Sequence, residues 1–172
     1  MKIRFLTVGG TIDKVYFDKL SQYEVGPPGV ERILRELPVA FEYEIQSLLR
    51  KDSLDMTDAD RQLVVQAVRQ SPERLIVITH GTDTMIDTAQ LLLQIPDRRV
   101  VLTGAMQPAN FHNTDAIFNI GQAVGVLLSD VHDGVFLAMS GRVFDPRRVR
   151  KNREKGVFED LDDISPNSSR NR

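Results

Sequence analysis

Leu75-Ile76-Val77-Ile78-Thr79-His80-Gly81-Thr82-Asp83-Thr84 decides the fold. It opens on a continuous apolar run, as expected of a central parallel strand covered on both faces, and the strand breaks at His80-Gly81. A helix near Thr84 to Gln94 follows and stops before Pro96. The unit repeats downstream. Val100-Val101-Leu102-Thr103 is another apolar strand ending at Gly104, a helix runs near Asp115 to Leu128, and Gly134 to Met139 reads as a strand. Upstream, Lys2 to Val8 is a buried first strand broken at Gly9-Gly10. Pro27-Pro28-Gly29 then sets up a short helix, Val30 to Leu37, stopped by Pro38. Phe41 to Leu48 alternates as a strand. Thr57 to Gln70 is helical, with Thr57 as N-cap and Leu63, Val64, Ala67 and Val68 on one face. Strand followed by helix, several times over, predicts an α/β fold in three layers: a mostly parallel sheet with helices on both faces.

The 172 residues suit one domain with a proper core, expected over residues 1–164. Residues 165–172 form a polar tail, read as disordered. Hydrophobic residues make up 41% and charged ones 27%, the balance of an ordinary soluble protein. A formal net charge of −2 gives no global pull toward nucleic acid or anionic membrane. With no cysteine, disulfides, thiol nucleophiles and cysteine metal sites are excluded. No apolar stretch approaches membrane length, and the apolar run at the N-terminus is too short for a signal peptide, so a cytoplasmic location is expected.

In parallel sheets ligands sit beyond the carboxyl ends of the strands. The loops at Gly9, Gly81, Gly104 and Gly141 all leave strand ends and should gather on one edge. Thr11 follows two glycines, where the backbone can turn sharply and approach a ligand. A hydroxyl there can attack a carbonyl. A plain turn is the bland alternative, and neither glycine fingerprint for phosphate binding fits. His80, Thr82 and Asp83 put three polar side chains at the end of an apolar strand. Helix capping explains one of them but not the set. The histidines, His80, His112 and His132, lack metal-ligand spacing, so neither metal nor cofactor is expected. Arg142 to Lys155 is strongly basic and reads first as a solvated face. One lysine turned inward among hydroxyls would serve as a base.

Together these pieces resemble the bacterial-type L-asparaginase family, which also contains glutaminase-asparaginases. Val8-Gly9-Gly10-Thr11-Ile12 is similar to its first threonine motif, and Ile78-Thr79-His80-Gly81-Thr82-Asp83-Thr84-Met85 to its second. Val101 to Pro108 looks like a Gly-Ala-Met-Arg-Pro strand end with Gln107 in place of arginine. Tyr23-Glu24-Val25-Gly26, Ser53-Leu54-Asp55-Met56, and Asp145-Pro146-Arg147 with Lys151 resemble further segments, in order along nearly the whole chain. The resemblance implies an asparaginase N-terminal-domain-like fold. It implies hydrolysis of L-asparagine to L-aspartate and ammonia, with Thr11 the primary nucleophile giving an acyl-enzyme. Tyr23, on a mobile flap, would help activate Thr11, with Tyr16 a competitor. Thr82, Asp83 and Lys151 would form a second catalytic group. Ser53 would hold the substrate α-carboxylate and Asp83 its α-ammonium, with Gly10 and Gly81 in the binding set. Which threonine attacks first stays open.

Members of that family usually carry a second, C-terminal domain, which supplies an acidic residue to a neighbouring subunit's site. These residues do not include it. Leu54 also stands where many relatives have a polar contact. A high Michaelis constant is therefore expected, with Glu159, Asp160, Asp162 or Asp163, from the same or a neighbouring chain, a partial substitute for the acid. The resemblance further implies a homo-oligomer, a dimer or tetramer. The alternatives are another amidase, acting on glutamine or on an aminoacyl-tRNA, and a non-catalytic protein that binds asparagine or aspartate. The expected partner is a small molecule, with no nucleic acid and no membrane.

Overall fold

The computed structural model describes residues 1–17 and 22–164. The tail at 165–172 lies outside them. In chain order the elements are strand β1 (Lys2–Gly9), a 3₁₀ turn (Thr11–Asp13), strands β2 (Lys14–Phe17) and β3 (Gln22–Val25), and helix α1 (Gly29–Glu36). Strand β4 (Glu42–Lys51), a second 3₁₀ turn (Ser53–Asp55), helix α2 (Asp58–Gln70), strand β5 (Leu75–Thr79) and helix α3 (Met85–Leu92) follow. Then come strand β6 (Arg99–Thr103), helix α4 (Ala116–Leu128), strands β7 (Gly134–Met139), β8 (Arg142–Phe144), β9 (Val149–Asn152) and β10 (Val157–Asp160), and a last turn of helix, α5 (Leu161–Ile164).

Six strands make the central sheet in the order β4-β1-β5-β6-β7-β8, all parallel except the edge strand β8. Alternation along each strand divides the core in two. Leu6, Ile76, Ile78, Val100, Leu102 and Leu137 face α2 and α3. Ile3, Phe5, Val77, Val101 and Ala138 face α1 and α4. A continuous apolar run was needed at Leu75–Thr79 because both faces are covered: Ile76, Val77 and Ile78 are each 0% exposed. Burial of each such side chain stabilises by about 1.5–3 kcal/mol, so the sheet fixes where the loops emerge.

Thr57 caps α2 as expected and does more. Its hydroxyl accepts from the Asp60 amide at 3.2 Å, while the Asp60 carboxylate accepts from the Thr57 amide at 2.8 Å, a reciprocal capping box. Lys51 donates to the same carboxylate at 2.9 Å and, with the Thr57 bonds, holds Asp60 down at about 2. The end of β4 and the start of α2 are thus locked together, with Ser53 between them.

The loops at Gly9, Gly81 and Gly104 do share one edge. Gly10 and Gly81 are backbone to backbone: a Cβ at Gly10 would fall on the Gly81 backbone. Gly9 and Gly10 have φ of 108° and 88°, which an L side chain rarely adopts. Two regions depart from the expectation. The stretch after Thr11 folds into the β2–β3 hairpin, and the basic stretch from Arg142 forms β8 and β9, the latter pairing with β10 just beyond it. These strands have three or four residues each and carry charges, so they lack an apolar signature.

Candidate active site

Two strand ends meet at the contact of Gly10 with Gly81. Thr11 lies one peptide beyond it on one loop, Thr82 one peptide beyond it on the other. The Gly10 amide is occupied: it donates to the Lys51 carbonyl at 2.9 Å. Gly10 therefore contributes close approach rather than an amide donor for a ligand. Gly81 contributes space as well, because a Cβ there would lie 2.6 Å from Ser53 Oγ. That contact brings the 3₁₀ turn after β4 against the second loop. The Ser53 carbonyl accepts from Thr84 Oγ1 at 2.9 Å. Ser53 itself is buried, and among the described residues its hydroxyl has no hydrogen-bond partner. A buried hydroxyl left unpaired costs about 1–3 kcal/mol unless a ligand satisfies it.

Lys151 is the inward-turned member of the basic stretch. From β9 its ammonium donates to Thr82 Oγ1 at 2.7 Å and to Asp83 Oδ1 at 2.9 Å. Arg153 lies 3.5 Å from the same Asp83 oxygen. The Thr82 hydroxyl is turned toward Met106 Sδ at 3.9 Å. Its oxygen thus sits against a cation, in a largely buried position where electrostatic interactions are less screened than in water.

The other basic residues are taken up by acids around them. Arg142 pairs with Asp163 at 2.7 Å, Arg148 with Asp162, and Arg150 and Lys155 with Glu159 at 3.0 and 3.5 Å. Asp160 accepts from the Asp162 amide at 2.9 Å. Each of the four candidates for a substitute acid is therefore engaged within its own chain, in the β8–α5 region.

His80 does not join the site. It is fully buried, with Nδ1 2.8 Å from the Gly81 carbonyl and Nε2 2.9 Å from Thr88 Oγ1. Burial lowers its pKa to about 4, so the neutral ring braces the loop from inside. Tyr16 and Tyr23 are register partners in the β2–β3 hairpin, with ring centroids 5.4 Å apart, and Tyr23 also lies 6.3 Å from Phe111. Tyr23 is 51% and Tyr16 50% exposed, so the hairpin presents both phenols on one face.

Three polar residues were not singled out from sequence. Asp115 accepts from the Met106 and Gln107 amides, each at 3.0 Å, and so fixes the loop after β6. Asn119 is buried, donates to the Gly104 carbonyl at 3.0 Å and accepts from the Ser140 amide at 3.0 Å, tying two strand ends together. Asp13, two residues after Thr11, is buried and accepts from the Gly29 amide at 2.7 Å. A lone acid just inside an apolar turn was the available signal for Asp13. In the sequence Asp115 reads only as a helix start.

The family model described as "Asparaginase, N-terminal" matches residues 2–159. L-asparaginase 2 of Escherichia coli is 33% identical over 163 residues, covering 87% of this chain and 46% of that protein. Among solved structures, the thermostable L-asparaginase from Thermococcus kodakarensis superposes with a TM-score of 0.80 at 26% identity, over 93% of this chain and 51% of that one. The probable cytoplasmic L-asparaginase from Campylobacter jejuni gives 0.78 at 26% identity, over 92% and 51%. The chain spans about half the length of the relatives it matches. By sequence and by fold, the chain belongs to the asparaginase family, which it matches through the family's N-terminal domain.

Proposed function

We propose that the protein is an L-asparaginase that works through a threonine nucleophile, without metal or cofactor. The observation that carries this reading is the Lys151 ammonium held between Thr82 Oγ1 and Asp83 Oδ1, beside the contact that joins the Thr11 and Thr82 loops. A hydroxyl polarised by a cation at a strand end is suited to acyl transfer. In the first step Thr11 Oγ attacks the side-chain amide carbon of asparagine and its proton passes toward the departing nitrogen. Collapse of the tetrahedral intermediate breaks the C–N bond, releases ammonia and leaves a β-aspartyl ester. In the second step water adds to the ester carbon, the C–Oγ bond breaks, and aspartate leaves with Thr11 restored. Thr82, Asp83 and Lys151 carry the protons, and a tyrosine of the β2–β3 hairpin, Tyr23, covers and helps activate Thr11. The unpaired Ser53 hydroxyl is suited to donate to the substrate α-carboxylate, with Gly10 and Gly81 leaving room for it. Asp83 faces the α-ammonium while also holding two cations, which fits a weakly bound amine and a high Michaelis constant.

Glutamine and larger amides are the alternative substrates. The pairing of the basic stretch with Glu159, Asp162 and Asp163 leaves less free positive charge for a tRNA backbone and favours a small molecule. A homo-oligomer and a cytoplasmic location complete the proposal, the latter in keeping with the Campylobacter neighbour's description. Ammonia release from asparagine, from glutamine and without substrate tests it. Release from asparagine that disappears in Thr11→Ala is expected. Full turnover by that variant would remove the covalent mechanism, and binding of asparagine without release would identify a sensor.

A further inference from the structure

Asp13 sits at a junction the reaction does not use. Its amide donates to the Gly10 carbonyl at 3.1 Å, closing the 3₁₀ turn that carries Thr11. Its carbonyl accepts from the Gly26 amide at 2.8 Å, where the chain leaves the β2–β3 hairpin. Its carboxylate accepts from the Gly29 amide at 2.7 Å, at the first residue of α1. Close packing holds the arrangement, since a Cβ at Gly29 would lie 2.6 Å from the Ala109 Cβ and 3.4 Å from Asp13 Oδ1. The adjacent Ile12 carbonyl accepts from the Ala109 amide at 2.9 Å, which ties in the loop after β6. One residue therefore joins the Thr11 turn, the stem of the tyrosine-bearing hairpin and a helix.

A carboxylate is a costly choice for this place. It is 3% exposed, and burial raises its pKa to about 7, against a smaller lowering by the Gly29 amide and the charge of Arg50. The charged groups facing it from the elements around it are Arg50 of β4, Lys14 of β2 and Arg32 of α1. Lys14 pairs with Asp52 at 2.7 Å, and Arg32 donates to the Ala109 carbonyl. A strongly perturbed ionisable group two residues from Thr11 is a candidate for a functional role.

We propose that Asp13 is a positioning residue for the reaction proposed above: its carboxylate latches the start of α1 to the turn that presents Thr11, while its backbone carbonyl holds the hairpin stem. The bond to the Gly29 amide is strongest when the carboxylate is ionised, because a charged acceptor binds an N–H about twice as strongly as a neutral one. Protonation weakens that one bond while it relieves the cost of burying the charge.

The test compares the full chain with Asp13→Ala and Asp13→Asn, by asparagine-dependent ammonia release between about pH 5.5 and 8.5 and by hydrogen exchange of the Gly26 and Gly29 amides. Loss of a hydrogen bond to a charged group corresponds to roughly tenfold or more in an equilibrium. Asp13→Ala is thus expected to lower kcat/KM by at least about tenfold and to speed exchange at Gly29 by a similar factor. Asp13→Asn, which keeps an oxygen acceptor, is expected to restore most of the kcat and Gly29 protection, and to lose the inflection near pH 7. An unchanged kcat/KM in Asp13→Ala overturns the proposal, as does the same inflection in Asp13→Asn and the wild type. If the wild type releases no ammonia, the functional reading fails on its own, and exchange decides the latch: equal Gly29 protection in wild type and Asp13→Ala would exclude it. Should Asp13→Ala fail to fold, the Asp13→Asn profile decides.

Discussion

The two threonine loops reach the same contact by opposite means. The second loop, Gly81–Asp83, is braced by side chains on every side: His80 and Thr88 beneath it, Ser53 against Gly81, and Lys151 above Thr82 and Asp83. The first loop, Gly9–Thr11, is held mainly by backbone contacts to Lys51 and Gly81 and by Asp13, and it leads directly into a hairpin with half-exposed tyrosines. A site that must admit a substrate and then exclude water needs one rigid wall and one movable one. The side-chain inventory assigns the rigid role to the second loop.

The comparison is tested most severely at the hydroxyls. Thr11→Ala is expected to lower kcat by at least about a thousandfold, as removal of a nucleophile does. Lys151→Met and Thr82→Ala should each fall by about a hundredfold or more, and the double variant should be no worse than the poorer single one. Additive losses in steady-state kinetics would break the pairing of Lys151 with Thr82. Ser53→Ala comes next: an increase in KM of about tenfold or more with kcat nearly unchanged is expected if the orphan hydroxyl binds the substrate carboxylate. A loss confined to kcat would move Ser53 out of the binding role.

A subtler difference between the loops lies in how each responds to protons. Folded Asp13 takes up its proton near pH 7 and the unfolded residue near 3.8, so acidification through that interval stabilises the fold. His80 behaves in the opposite sense. The unfolded ring is protonated near 6.5 and the buried one only near 4, so acidification through that interval destabilises. Between those two His80 values the slopes oppose each other, at about 1.4 kcal/mol per pH unit each. In chemical denaturation Asp13→Asn should therefore lose stability faster than the wild type as pH falls from 6.5 toward 4, and His80→Gln should lose it more slowly. Parallel profiles for all three proteins would show that neither group is buried as described. The smallest effect expected is for Thr57→Ala, a loss of about 1 kcal/mol without change in KM. A shifted KM would mean that the capping box also sets the position of Ser53.

Much of this was legible in the residues, though unevenly. Leu75–Thr79, Arg99–Thr103 and Gly134–Met139 announced the sheet because strands covered on both faces must be apolar throughout. The β2–β3 hairpin was not announced: Lys14–Phe17 and Gln22–Val25 are four residues each, too short for a clear alternation. The basic stretch concealed its two short strands, β8 and β9, for the same reason, and nothing in its charges distinguished the inward Lys151 from the paired Arg150 beside it. The order of motifs made Lys151 a candidate; the packing of β9 gives it its partners. His80 shows the converse. Its place at a strand end made it a site candidate, yet its ring is held by the carbonyl of the next residue, Gly81, and by Thr88 of α3.

The bonds from Lys151 to Thr82 and Asp83 span 69 and 68 positions of the chain. During synthesis both threonine loops leave the ribosome well before the lysine does. A nascent chain halted after β7 would hold the hydroxyls, the serine and the hairpin, yet would lack the cation. The contact of Lys151 with Thr82 and Asp83, and any reaction that depends on it, therefore waits for β9 to dock.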